Sequence, residues 1–209
     1  MAKTTMWRAL GGRAFLLTSW PWRSLAYLVS GALVGVPGLI AVTAGLAVGG
    51  ALSVVLIGLP LLVAVALAGL PMGVLERRRL RLIEPGEAPN PHHPVETEGV
   101  RSWVLTRLWE RATWRELLYT LLFVTVLWPL DLLAVVFALT VPVGLLATPV
   151  MLATFGDGEY TMALKEWMVT SYPQACALAL LGLVLLPAAA YALSALAGVR
   201  ARGARLLLT

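Results

Sequence analysis

The chain has 209 residues, enough for one ordinary domain, of which 59% are hydrophobic and only 13% charged. Soluble domains carry about 25% charged residues, so a chain with mean hydropathy +0.84 falls outside that class. The net charge of +5 and a pI near 9.9 do not imply nucleic acid, because the basic residues flank apolar runs, where membrane topology alone puts them.

Three such runs organise the chain. Residues 24–75 contain 52 consecutive positions without Asp, Glu, Lys or Arg, and residues 167–199 contain 33 more. Between them, 117–156 contains 40, interrupted only by Asp131. A membrane span needs about 20 apolar residues. The first run exceeds a signal-peptide core of about 7–15 residues, and no A-x-A-like cleavage site closes it early. It divides at Gly49-Gly50 into a hairpin of two helices, 24–48 and 52–75.

The middle run is ambiguous by length, since 40 residues in one helix would reach about 60 Å, twice the hydrocarbon thickness. Counting Lys and Arg resolves it. With four spans, at 24–48, 52–75, 117–141 and 174–198, fifteen of the sixteen basic residues face the cytoplasm and only Lys165 lies outside. A fifth span would move the C-terminal arginines out. Pro142 and Pro149 then make 142–156 a bent extension or a partly re-entrant piece. The expected fold is all-α: a polytopic membrane helical bundle of four transmembrane helices in a single domain. Both termini and the 76–116 loop are expected in the cytoplasm.

WRSLAY at 22–27 recurs as WRELLY at 114–119, and the same shift of 92 lays Pro37 on Pro129. Trp and Tyr favour the headgroup layer and Arg the cytoplasmic face. Trp22, Arg23 and Tyr27, with Trp114, Arg115 and Tyr119, therefore read as interface anchors that start two helices at the same depth. Two similar halves follow, with the third helix stopping or kinking near Val141-Pro142.

The 76–100 loop contains His92 and His93 near Glu84, Glu87, Glu96 and Glu98. Adjacent histidines on an extended chain point apart, and no HExxH spacing aims two ligands at one ion. Four prolines make a stiff, solvated connector instead. RSWVLTRLWERATWRE (101–116) reads as one amphipathic helix on the inner membrane surface, with a basic face of Arg101, Arg107, Arg111 and Arg115.

Asp131 is the one formal charge inside an expected span and so a functional candidate. With no cationic side chain inside the apolar runs, it would bond hydroxyl or backbone donors near Pro129, or be protonated. The outer loop 155–173 offers Asp157, Glu159, Tyr160 and Trp167 as a second candidate ligand site, for a cationic or amphiphilic ligand; an amphipathic lid is the alternative. Gly31-xxx-Gly35 and Gly45-xxx-Gly49 permit close packing within the bundle or in a homodimer. Cys176 reads as a small buried core residue. No catalytic constellation, cofactor motif or metal-ligand spacing appears, so a non-enzymatic role is expected.

Tyr27, IGLPLL (57–62), LERRRLRL (75–82), the W…WRELLY stretch (103–119) and the arginine-rich exit of the last span together carry a resemblance. They resemble the sensor-domain family found at the N-terminus of actinobacterial histidine kinases, over residues 20–205. The resemblance implies a module that detects an envelope or lipid-borne signal and passes it to a cytoplasmic kinase of a two-component system. Here the sequence closes on ARGARLLLT, so the kinase would be either the continuation of a longer chain or a separate partner. Membrane lipids and a kinase or response-regulator system are the expected partners. An accessory subunit of a transporter is the second reading, and a lipid-acting membrane enzyme the third.

Overall fold

A computed structural model describes residues 6–12, 14–84, 86, 89–93, 99–154, 160–161, 168–169 and 171–208. A short helix, α1 (Met6–Leu10), and a 3-10 turn (Phe15–Leu17) precede four helical passes. The first pass is α2 (Trp20–Ser53), opened by Pro21, whose missing N–H is no loss in a first turn. The second is α3 (Leu59–Ala66) followed by α4 (Gly69–Leu80). After α5 (Val100–Trp109), the third pass comprises α6 (Arg111–Leu122), a π-helical turn (Phe123–Leu127) and α7 (Trp128–Thr154). The fourth is α8 (Tyr172–Leu208), with a minimal antiparallel pairing, β1 (Tyr160–Thr161) with β2 (Met168–Val169), between α7 and α8. Among the described residues these four passes are long and apolar enough to cross a membrane. The starts of α2 and α6 and the ends of α4 and α8 share one end of the bundle, its basal end.

The packing is that of a protein built for lipid. Only 11–28% of the residues in the apolar window of each pass are buried, which leaves Leu33, Ile40, Phe137, Val184 and their neighbours facing outward. Lipid tails are as apolar as leucine, so contact between helices rests on small residues that let backbones approach. Gly35 faces the Trp128 ring, Gly45 faces Val65 and Gly49 faces Leu62. The expected glycine pairs are thus consumed inside the bundle. At Gly69 two helix backbones meet directly, because an added Cβ would lie 2.6 Å from the Leu117 amide nitrogen.

Several boundaries differ from the sequence expectation. Gly49-Gly50 is helical, and the hairpin turns instead at residues 54–58, where the Gly58 amide donates to the Leu52 carbonyl at 3.0 Å. Leu56 takes φ +62° in that turn, a conformation a leucine adopts only under surrounding constraint. Gly58 is needed there because a Cβ would fall 2.1 Å from the Gly49 carbonyl oxygen. Of the two forms expected for residues 142–154, an extension or a partly re-entrant piece, the structure has an extension, because α7 continues through both prolines to Thr154. Gly182 makes room on α8, its absent Cβ position being 2.7 Å from the Pro142 oxygen. The expected single helix 101–116 is two helices, broken at Glu110 with ψ 127°. Cys176 is exposed rather than buried; its neighbour Ala175 takes the inward position.

The repeat has a structural counterpart. Trp22 and Trp114 are both exposed, while Arg23 and Arg115 each donate to a carbonyl near the end of the returning helix. Arg23 reaches Arg81 at 3.0 Å and Arg115 reaches Leu206 at 2.7 Å. Buried Ser24, Tyr27, Leu28 and Gly31 match Glu116, Tyr119, Thr120 and Phe123 under the 92-residue shift. Beyond the π-helical turn the match advances by one, so Val42 and Gly49 correspond to Val135 and Pro142. A π turn inserts one residue into a helix, and it sits just before Pro129, which cannot donate to the residue 125 carbonyl. The tyrosines do not anchor an interface: Tyr27 and Tyr119 are each only 1% exposed.

Gly69→Leu should lower stability by about 1–3 kcal/mol through overpacking of α4 on α6. Gly144→Ala, which meets nothing within 4 Å, should leave it unchanged. Thermal unfolding of the two variants in detergent measures the difference, and equal melting temperatures would refute the close contact.

Candidate functional site

Polar side chains gather at one level of the bundle, toward its basal end. α4 brings Glu76 and Arg79, i and i+3 on one face, and the two form an ion pair with Glu76 1% and Arg79 9% exposed. Tyr27 of α2 donates its hydroxyl to Glu76 at 2.6 Å. Arg79 donates to the Tyr27 carbonyl at 2.7 Å and to Ser30 Oγ at 3.1 Å. Its guanidinium lies over the rings of Tyr27 (4.8 Å) and Phe123 (5.2 Å). Tyr119, the repeat mate of Tyr27, turns toward Glu76 as well, with its hydroxyl buried.

Gly31 connects this cluster to the next. A Cβ there would lie 3.1 Å from Arg79 Nη2 and 3.9 Å from Asp131 Oδ2, so those two atoms are no more than 7.0 Å apart. Asp131, 2% exposed, accepts from Arg200 Nε with both oxygens at 3.0 Å. The charge sequence Glu76, Arg79, Asp131, Arg200 is neutral and draws on α4, α7 and α8, while α2 supplies Tyr27, Ser30 and Gly31. Asp131 was expected to lack a cationic partner. Arg200 supplies one because α8 runs antiparallel to α7 and brings its arginine-rich end to the level of Asp131.

A second chain of charges lies beside the first. Glu116 of α6 is fully buried and pairs with Arg77 at 2.5 Å. Gly73 makes the room, since its Cβ would lie 2.6 Å from Glu116 Oε1. His92, from the proline-rich connector, places Nε2 2.9 Å from Glu116 and Nδ1 2.6 Å from Glu110. Arg107 then pairs with Glu110 at 2.8 Å. The connector was expected to be solvated, yet the His92 side chain is 5% exposed. Its two nitrogens address carboxylates on opposite sides of the ring, which clamps the connector onto the α5–α6 corner rather than focusing ligands on an ion. Burial pushes the Glu110 carboxyl up, but hydrogen bonds from His92 and Arg107, with the Arg107 charge, outweigh it and hold it below the ordinary value.

Of the other expected site residues, Asp157, Glu159 and Trp167 lie outside the described residues, and Tyr160 is described only through its backbone pairing with Val169. The sequence reading missed Glu76, Arg79 and Arg200 as site residues. LERRRLRL looked like a charged flank, but Met72, Glu76 and Arg79 at spacings of four and three continue the buried face of α4.

A family model described as "Sensor: Putative sensor" matches residues 27–208. No curated protein and no solved structure matches.

Arg200→Met should destabilise the bundle by about 3–5 kcal/mol, because it strands a buried carboxylate, and adding Asp131→Leu should recover most of that loss. Unfolding curves of the single and double variants decide it; additive losses would rule out the pair. For Glu110 the folded carboxyl lies below its unfolded value, so its stabilisation is complete above the ordinary carboxylate range. It is lost as pH falls through the depressed value. Limited proteolysis of the 84–93 connector should therefore accelerate in acid, and Glu110→Gln should be cut faster even at neutral pH.

Proposed function

Because this chain belongs to the family described as "Putative sensor", we propose that it is a non-enzymatic membrane sensor module relaying an envelope or lipid-borne signal to a cytoplasmic kinase. The observation that carries this reading is the neutral ionic layer. Its four charges sit on three passes, α4, α7 and α8, and Tyr27 ties the α4 pair to α2, so a shift of one pass alters the pairing on the others. Buried charge pairs have discrete arrangements rather than a continuum, which suits a two-state element. α8 contributes Arg200 to the layer and continues for two further turns to Leu208, tied there by Arg205 to Glu84 at 2.7 Å and by Arg115 to Leu206. A change in the layer thereby reaches the basal end of α8.

The positive-inside bias places that basal end, with the 76–116 loop and both termini, in the cytoplasm. α5, which leaves Val100, Leu105 and Trp109 exposed, lies along the inner surface and completes a basal platform for a kinase.

Cysteines placed at residues 88 and 207 should be shielded from an impermeant thiol reagent in intact cells, and one at 162 should react. Labelling of 88 and 162 alike would remove the orientation on which the relay depends. In the native host, Asp131→Asn should fix the output of the partner kinase at one level while the protein still inserts, read as phosphorylation of its response regulator under envelope stress. A normal stress response would count against the ionic layer as the switch.

A further inference from the structure

Between α2 and the α3–α4 pass runs a lateral groove of about 380 Å³. Leu33, Pro37 and Ala41 form one wall, Pro71 and Leu75 the other, and Thr120 of α6 closes the floor. The Thr120 hydroxyl is spent on the Glu116 carbonyl at 2.7 Å, so the surface offered is apolar throughout. The groove opens outward, with Leu33 73% exposed on its rim. Each wall carries a proline, Pro37 and Pro71, and small residues, Gly38, Ala41 and Ala68, complete the lining.

The basal mouth of the groove is basic. Arg78 is exposed three residues beyond Leu75 and seven beyond Pro71, which places all three on one face of α4. Arg81 is exposed one residue past the end of α4, and Arg23 of α2 donates to its carbonyl. Arg78 and Arg81 are thus exposed at the basal end of α4, and Arg23, whose guanidinium also lies over the Trp20 ring, joins them there through the Arg81 carbonyl. Among the described residues none of them forms an ion pair with a carboxylate, because the nearby Glu76 and Glu84 are held by Arg79 and Arg205. Exposed Trp22 marks the same end as a headgroup layer. The groove lies within the apolar length of the passes, where lipid chains supply its surroundings, and its mouth lies at the headgroups.

We propose that this groove is a binding site for one anionic phospholipid, with an acyl chain between Pro37 and Pro71 and the phosphate on Arg78, Arg81 and Arg23. Guanidinium groups bind phosphate oxygens through paired hydrogen bonds, and an apolar slot beside them selects a lipid over a free anion. The inference stands on the groove and the arginines alone and does not require the kinase relay.

The test uses the full chain in phosphatidylcholine vesicles containing phosphatidylglycerol with a photoactivatable acyl chain. Labelling should concentrate in peptides covering 33–41 and 68–75, and unlabelled phosphatidylglycerol should compete where phosphatidylcholine does not. Ala41→Phe, which fills an exposed position on the groove wall, should abolish this labelling with unchanged melting temperature. Arg78→Gln with Arg81→Gln should weaken the preference for phosphatidylglycerol about tenfold. Labelling spread evenly over the outward faces of all four passes, or indifferent to Ala41→Phe, would overturn the site. Competition by inorganic phosphate as effective as by the lipid would also overturn it, since the arginines would then bind a free anion.

Discussion

A charge carried into a helical bundle with no water around it must arrive with its partner, and this bundle is arranged around that requirement. Glu76, Glu116 and Asp131 are each no more than 2% exposed, and each is met by an arginine, Arg79, Arg77 and Arg200 respectively. An unpaired buried carboxylate costs more than most single contacts contribute. The helices therefore settle at the level where these pairs close. α2, which brings no charge to the layer, is fixed by Tyr27 and Ser30, whose oxygens complete the coordination of Glu76 and Arg79.

The second requirement is room. Tails of lipid compete on equal terms with leucine for a helix surface, so close backbone approach must substitute for a hydrophobic drive. The two requirements meet at particular glycines. Gly31 leaves the space into which Arg79 and Asp131 converge, and Gly73 leaves the space for the Glu116 carboxylate. A methyl group would collide with the Glu116 carboxylate at Gly73 and press on Arg79 Nη2 at Gly31, so packing and electrostatics are not separable there.

The internal repeat explains why the layer lies where it does. Each half begins with an exposed tryptophan, an arginine that caps the returning helix and a tyrosine turned inward toward Glu76. The second half adds Asp131 just after the π-helical turn, on a face that the turn has rotated by one residue. Without that inserted residue, the phase that buries Phe123 would not carry on to bury Asp131, Val135 and Pro142 as one stripe. On the proposed reading, the half that diverged is the half that couples to α8 through Arg200.

Apolar runs, proline spacing and the bias of arginine made four passes, their common starting depth and the two-half arrangement legible in the sequence, because length in a bilayer and charge at its surface are properties of the chain taken locally. The candidate status of Asp131 was legible for the same reason. Its partner was not, since Arg200 lies 69 residues away and reads locally as a flank; only antiparallel packing of α8 on α7 brings the two together. The burial of Tyr27 and Tyr119, the clamp of His92 between Glu110 and Glu116, and the turn at 54–58 in place of Gly49-Gly50 share this origin. Each depends on what another helix places opposite, and that opposition exists only once the four passes have packed.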